Sequence, residues 1–239
     1  MNRNLLRITA IFLVLGTLGQ AQVAPDAAEL LNRMRQAHGG AALEQLRTYQ
    51  ETITLTLFSG PQPQARLTVT NSIDVLAQKV QVEYRVGSNL VQAILYTPEG
   101  GQIWTAESGR RALEPALADD FKNSFYQSWL GLRFGGTGRE LARLEGMRTF
   151  GDVRGRAVVV RTRGTQTTYL VDEQNRLVAE SYRGSLGDFT AYYDGFRSVS
   201  GLLIPFQGRV YVNGVLFAEI QVQEARVNPT LGPETFKLP

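Results

Sequence analysis

Not one of the 239 residues is cysteine. That excludes a disulfide framework, a thiol nucleophile, a thiolate metal site and a lipid-anchored N-terminal cysteine, so the core alone must hold the chain together. Histidine occurs once, at His38, which leaves an imidazole metal site or a Ser-His-Asp arrangement without its partners. Lysine is nearly absent too: Lys79, Lys122 and Lys237 are the only three among 25 basic residues, set against 22 acidic ones. No arginine pair, such as Arg110-Arg111, lies in a basic stripe, so nucleic acid is not an expected partner. Long apolar runs are missing as well. Ile8 to Leu18 is the longest, well short of the roughly 20 residues that a membrane-spanning helix needs.

That short run has its own meaning. Arg3 and Arg7 precede it and Gly19-Gln20-Ala21 follows it, the order of a secretory signal with cleavage after Ala21. Residues 1–21 are therefore read as a signal peptide and residues 22–239 as one exported, soluble, periplasmic domain, undivided by any Pro-rich or low-complexity linker. Cleavage removes two Arg and no acid, which leaves 23 basic residues against 22 acidic ones.

Beyond the leader the pattern is that of a helix and then many strands. Pro25-Asp26 marks a helix start, Leu30, Leu31 and Met34 supply its apolar side, and Gly39-Gly40 stops it just after His38. A second helical turn spans Ala41 to Leu46. From Tyr49 the apolar period drops to two, with Ile53, Leu55 and Leu57 alternating with threonines, and strands are expected over 66–74, 79–86, 90–96 and 102–106. They resume over 148–150, 156–162, 167–172, 177–183, 188–193, 204–212 and 215–222, the last two joined by an Asn213-Gly214 hairpin turn. The class is α+β, one large antiparallel sheet with helices before it and inserted in it.

The inserted segment, residues 117–134, reads as a single aromatic helix. At about 100° per residue, Phe121, Phe125, Trp129 and Leu132 share a stripe that Tyr126 and Leu130 widen. Such a helix on a sheet is either the plug of a core or the lid of a hydrophobic cavity, and the pattern alone leaves both open. Asp119-Asp120 is read as a cap on its amide groups, and the Gly-rich stretch Gly131 to Arg139 as a linker, since it lacks the ending of a phosphate-binding loop.

The order helix, AHGG, short helix, RTYQETITLTL, hairpins and mid-chain helix resembles the bacterial outer-membrane lipoprotein carrier (LolA-like) superfamily, which also holds lipoprotein receptors and sensor domains of periplasmic stress regulators. The C-terminal stretch carries the likeness furthest, with the Gly201 to Pro205 turn, the long last hairpin, and Asn228-Pro229 followed by Phe236. The resemblance implies an unclosed β-barrel, covered by an N-terminal helix and a mid-chain lid helix, that binds acyl chains. Its ligand is then a lipid or an acylated lipoprotein, and its partners an inner-membrane transporter or an outer-membrane receptor, met by a monomer. The chain departs from the carriers between the second and third strands, where a basic residue followed by Pro helps hold the lid. Here Asp74 to Lys79 contains no Pro.

The expected ligand-binding residues are Ile53, Leu55, Leu57, Val82, Tyr84, Leu95 and Trp104 on the sheet and Phe121, Phe125 and Trp129 on the lid. Catalytic residues, metal ions and cofactors are not expected. The rival reading is a sensor or protein-interaction module whose cavity is filled by side chains. A hydrolase built on a carboxylate pair is a third class, but spacing singles out no such pair.

Overall fold

A computed structural model describes residues 23–239; the Gly19-Gln20-Ala21 site and the apolar leader lie outside the described residues. Helix α1 (Pro25–Ala37) starts with proline at its first position and buries Ala27, Leu30, Leu31 and Met34. After the short α2 (Ala41–Glu44) come β1 (Thr48–Ser59), β2 (Gln62–Asp74), β3 (Lys79–Val86), β4 (Asn89–Thr97), β5 (Gly100–Thr105) and β6 (Gly109–Ala112). The insertion holds α3 (Pro115–Ser124), α4 (Ser128–Gly131) and a 3-10 turn, Leu132–Phe134. Next in the chain are β7 (Leu141–Phe150), β8 (Val153–Thr162), β9 (Thr165–Val171), β10 (Leu177–Gly184) and β11 (Gly187–Asp194). A small hairpin of β12 (Arg197–Val199) and β13 (Leu202–Ile204) precedes β14 (Gln207–Val212) and β15 (Val215–Val227).

Thirteen strands form one antiparallel sheet in the order β6-β5-β4-β3-β2-β1-β15-β14-β11-β10-β9-β8-β7. The outermost strands, β6 and β7, do not pair with each other, so the sheet is open. The last strand inserts beside the first: β15 pairs with β1 from Tyr49↔Val227 to Leu57↔Ala218. Among the described residues no helix is long and apolar enough to cross a membrane.

The two short motifs of the sequence are structural joints. His38 is fully buried; its Nδ1 lies 2.9 Å from the Leu203 carbonyl and its Nε2 accepts the Leu177 amide at 3.0 Å, tying the end of α1 to β10 and β13. Burial holds this imidazole below its ordinary range, so it sits neutral between one acceptor and one donor rather than as a cation on the helix dipole. Asn228, with φ 53°, accepts the Arg47 and Thr48 amides on its side-chain oxygen and so closes the end of β15 onto the start of β1.

The turn between β14 and β15 has positive φ at both Asn213 (50°) and Gly214 (80°), as a type I′ turn requires. Open space surrounds a Cβ placed at Gly214, so backbone strain is the main cost of a side chain there. Gly214→Val should lower stability by about 1 kcal/mol or more, read from the denaturation midpoint; an unchanged midpoint would refute the turn assignment.

Candidate functional site: the helix-covered face of the sheet

Cross-strand register decides which side chains share a face. Ile53 pairs with Val69, Val69 with Tyr84, Val82 with Ile94, and Ile94 with Ile103. With strict alternation these place Tyr49, Glu51, Ile53, Leu55 and Leu57 of β1 on the same side as Val80, Val82 and Tyr84 of β3 and Ile94 and Tyr96 of β4. This is the face that the helices cover: Ile53, Val69, Val82, Ile94, Tyr96, Phe125 and Trp129 belong to one buried cluster, with Leu55, Tyr84 and Phe121 half-buried against it. Leu57 lies further along the same face, half-exposed.

Two of the expected residues do not join them. Leu95 pairs with Gln81 and Gln102, and Trp104 with Ala93, so both point to the opposite face. That side of β3–β6 is covered by the C-terminal tail: Gln81 donates to the Lys237 carbonyl, and Arg110 donates to the carbonyls of Leu238 and Pro239. Leu95 and Trp104 therefore drop out of any single site that includes Ile53 and Phe125. The strand LVQAILYT is apolar in both phases, and alternation could not choose between Ile94 and Leu95.

The expected single lid helix is two pieces. Helix α3 ends at Ser124, Gln127 is extended, and Ser128, the first residue of α4, takes φ 53°. No Gly or Pro lies at the break; distant side chains impose it. The Glu180 carboxylate of β10 accepts the Ser128 amide at 2.8 Å. The buried Arg139 guanidinium donates to the carbonyls of Tyr126, Gly131 and Gly135 and to Thr162 Oγ1, and Tyr169 Oη donates to the Tyr126 carbonyl. Backbone groups that would continue a helix are thus used elsewhere, and residues 126–135 are fixed to β8–β10. The Gly131 to Arg139 stretch is accordingly an anchored segment with a buried arginine in place of the expected linker.

Helix α3 is held differently. None of its residues is fully buried. On one side Phe121 stacks on Tyr96 of β4, centroids 6.2 Å apart. On the other, Asp120 accepts the amide and hydroxyl of Ser185 in the β10–β11 turn. Asp120 is therefore a bridge to the sheet; the helix starts five residues earlier, at Pro115, and the capping expectation fails. The same contacts measure the curl. Seven interstrand steps separate β4 from β10, about 34 Å on a flat sheet at ~4.8 Å each, yet adjacent residues of α3 touch both. The sheet must bend until its halves face each other, and α3 straps them.

Three polar features lie on or beside this apolar face. Glu180 accepts Tyr193 Oη at 2.6 Å as well as the Ser128 amide, and burial raises its carboxyl to about 7. Glu51 accepts Tyr49 Oη and Asn71 Nδ2, each at 2.8 Å, and is also raised by burial. Gln78, in the turn from Asp74 to Lys79 that contains no Pro, donates to Tyr126 Oη at 3.0 Å and so contacts the fixed segment. Sequence reasoning missed Glu51 and Glu180. Glu51 was findable, since it falls in phase with Ile53 and Leu55 and a carboxylate in an apolar phase marks a buried charge; Glu180 was not, because a register shift between Leu177 and Ala179 puts Val178 with Ala179 and Leu170 in a separate cluster. A groove of about 690 Å³ does exist elsewhere, largely on the opposite face, with a mixed lining in which Thr54, Arg66, Arg209 and Glu219 stand beside Val153, Val178 and Tyr192.

Neither a family model nor a curated protein sequence matches the chain. Among solved structures it is similar to a DUF1329 family protein from Desulfovibrio piger, at 12% identity and TM-score 0.62 over 89% of this chain and 96% of that one. It is also similar to a putative outer membrane lipoprotein-sorting protein domain from Vibrio parahaemolyticus, at 10% identity and TM-score 0.59 over 88% and 96%. A LolA superfamily protein from Nitrosomonas europaea gives 12% identity and TM-score 0.55 over 89% and 97%. An open antiparallel sheet curled around helices is thus shared across nearly whole chains. The fold is LolA-like.

Proposed function

We propose that the protein is an exported, monomeric, non-enzymatic carrier that binds the acyl chains of a lipid or lipoprotein between the curled sheet and α3. The observation that carries this reading is the difference between the two halves of the insertion: residues 126–135 are bolted down, whereas α3 spans the opening with no fully buried residue, resting on the core through half-buried Leu117, Ala118 and Phe121 and tied by Asp120 to the β10–β11 turn. Beneath and beyond it, Leu55, Leu57, Leu67, Tyr84 and Ile220 form a half-covered apolar strip on the same face. Acyl chain laid along such a strip gains about 0.8 kcal/mol per methylene taken out of water. In this reading α3 is the movable lid with Phe121 as its apolar contact, while Phe125 and Trp129 line the fixed floor. The description of the Vibrio protein as a putative outer membrane lipoprotein-sorting domain supports the ligand class by likeness of fold. Glu51 and Glu180 do not suggest a hydrolase. They sit four strands apart in the sheet, each engaged by a tyrosine and a second donor.

One observation favours the rival. Phe125 and Trp129 already fill the space over Tyr49 and Tyr96, as a sensor or interaction module with a packed interior requires. Mass spectrometry of an organic extract of the purified protein separates the two. A stoichiometric lipid is the expected result, and a lipid-free extract from protein that also takes up no fatty acid would sink the carrier reading. On the same proposal, loading and unloading fall to an inner-membrane transporter and an outer-membrane receptor, and the working compartment is the periplasm.

A further inference from the structure

Three neighbouring hairpin tips carry no charge. Phe58 to Ala65 joins β1 to β2, Val210 to Ala218 joins β14 to β15, and Gly184 to Gly187 joins β10 to β11; none contains Asp, Glu, Lys or Arg. They adjoin in space, because Leu57 pairs with Ala218, and Asn213 both donates to the Leu186 carbonyl and exchanges backbone and side-chain bonds with Asp188. At these tips Leu186 is 59% exposed, Val215 56% and Phe217 38%. A register shift between Val210 and Tyr211 leaves Phe217 without a cross-strand partner. Turns at the other ends of the strands are charged throughout: Asp74 and Lys79, Glu99, Asp152 and Arg154, Asp172 and Glu173. Beside these tips Arg183 lies 3.7 Å from Asp188, and the β5–β6 and β8–β9 turns at the same end of the sheet carry Glu107 and Arg163.

We propose that these three tips form a membrane-docking surface that seats in the interfacial layer of a lipid bilayer. Separate apolar knobs, spaced by Gly, Pro, Asn and Gln and offering no groove, suit a fluid lipid surface better than a shaped protein partner. The absence of charge makes the contact apolar, so anionic lipid is not required. The position gives it a use. Leu186 directly follows Ser185, whose amide and hydroxyl hold Asp120 of α3, so a bilayer that takes up Leu186 bears on the polar attachment of the strap. This deepens the carrier reading and rests on it only for that use; the docking itself is separately measurable.

The experiment is flotation of the purified protein with phosphatidylcholine vesicles and with mixed phosphatidylcholine–phosphatidylglycerol vesicles, at low and high salt. Wild-type protein is expected to float with both, independently of salt. A Leu186→Asp, Val215→Asp variant is expected to lose binding at least tenfold. Met147→Asp, equally exposed at 54% but on β7, should bind as wild type. Circular dichroism confirms that the exposed substitutions leave the fold intact. No flotation of wild type, an unaffected tip variant, or binding confined to phosphatidylglycerol and abolished by salt would each overturn the proposal. Lipid still found in the extract of a protein that does not float would remove the docking surface and leave the carrier standing.

Discussion

Phe125→Ala is expected to cost about 3–5 kcal/mol of unfolding free energy, the range of a fixed core phenylalanine, while Phe121→Ala four residues earlier costs about 1–2 kcal/mol. Phe125 is 1% exposed, at the C-terminal cap of α3 against Tyr96, just before the segment that Arg139, Tyr169 and Glu180 hold in place. Because its neighbours cannot follow into the vacated space, a cavity persists and the full penalty applies. Phe121 is half-buried on a helix that no buried side chain anchors, and α3 can settle toward Tyr96 when the ring is removed. Ligand handling should show the opposite order: Phe121→Ala changes fatty-acid uptake severalfold, while Phe125→Ala, in whatever fraction stays folded, changes it little. Urea denaturation and a fatty-acid binding titration on both variants check this. Equal stability losses at the two positions would mean that the insertion moves or stays as one body.

The contrast between those residues marks where the sequence stopped being readable. On a helical wheel Phe121, Phe125 and Trp129 form one stripe, because local periodicity treats 117–134 as continuous. The break at Gln127-Ser128 is set by groups 52 residues away for Glu180 and 13 for Arg139, so no window of the chain contains its cause. Strand existence was far more legible. The 79–86 strand is β3 to the residue, the AHGG stop ends α1, and the Asn-Gly turn joins β14 to β15. Short β6, β12 and β13 escaped, for three or four residues cannot display a period. The two faces of β4 and β5 were unresolved for another reason: both are covered, one by helices and one by the C-terminal tail, so both phases are apolar. Phase in β1 did carry the answer for Glu51, which interrupts an apolar series, whereas in β10 the register shift between Leu177 and Ala179 breaks the phase ahead of Glu180.

Replacing Glu180 with glutamine should therefore stabilise the protein increasingly as pH rises. In the folded state this carboxyl titrates near 7, against its ordinary 4.5, because burial disfavours the charge and only the Tyr193 hydroxyl and the Ser128 amide favour it. A raised folded pKa means that the native state binds the extra proton. The associated stability is fully present below about pH 4.5 and is lost as pH climbs through 7, about 3 kcal/mol in all at 1.36 kcal/mol per decade. His38 works in the other sense: its imidazole is held below 6.5, so its contribution is present above that pH and fades on acidification. Glu51 has the same sign as Glu180. A single pH profile of the wild type would mix all three, but His38 and Glu51 are common to both proteins and cancel in the difference between Glu180→Gln and wild type. Glutamine cannot ionise; its one acceptor oxygen can serve the Ser128 amide while its NH2 group donates to the Tyr193 hydroxyl, so the pH-dependent part of that difference should swing toward the variant by about 3 kcal/mol between pH 4.5 and 8. Denaturant unfolding of both proteins at the two ends of that range measures it. A constant difference would show that Glu180 binds its proton equally well folded and unfolded, and that near neutrality the break at Ser128 is held by a full charge rather than by a carboxyl that gains and loses its proton there.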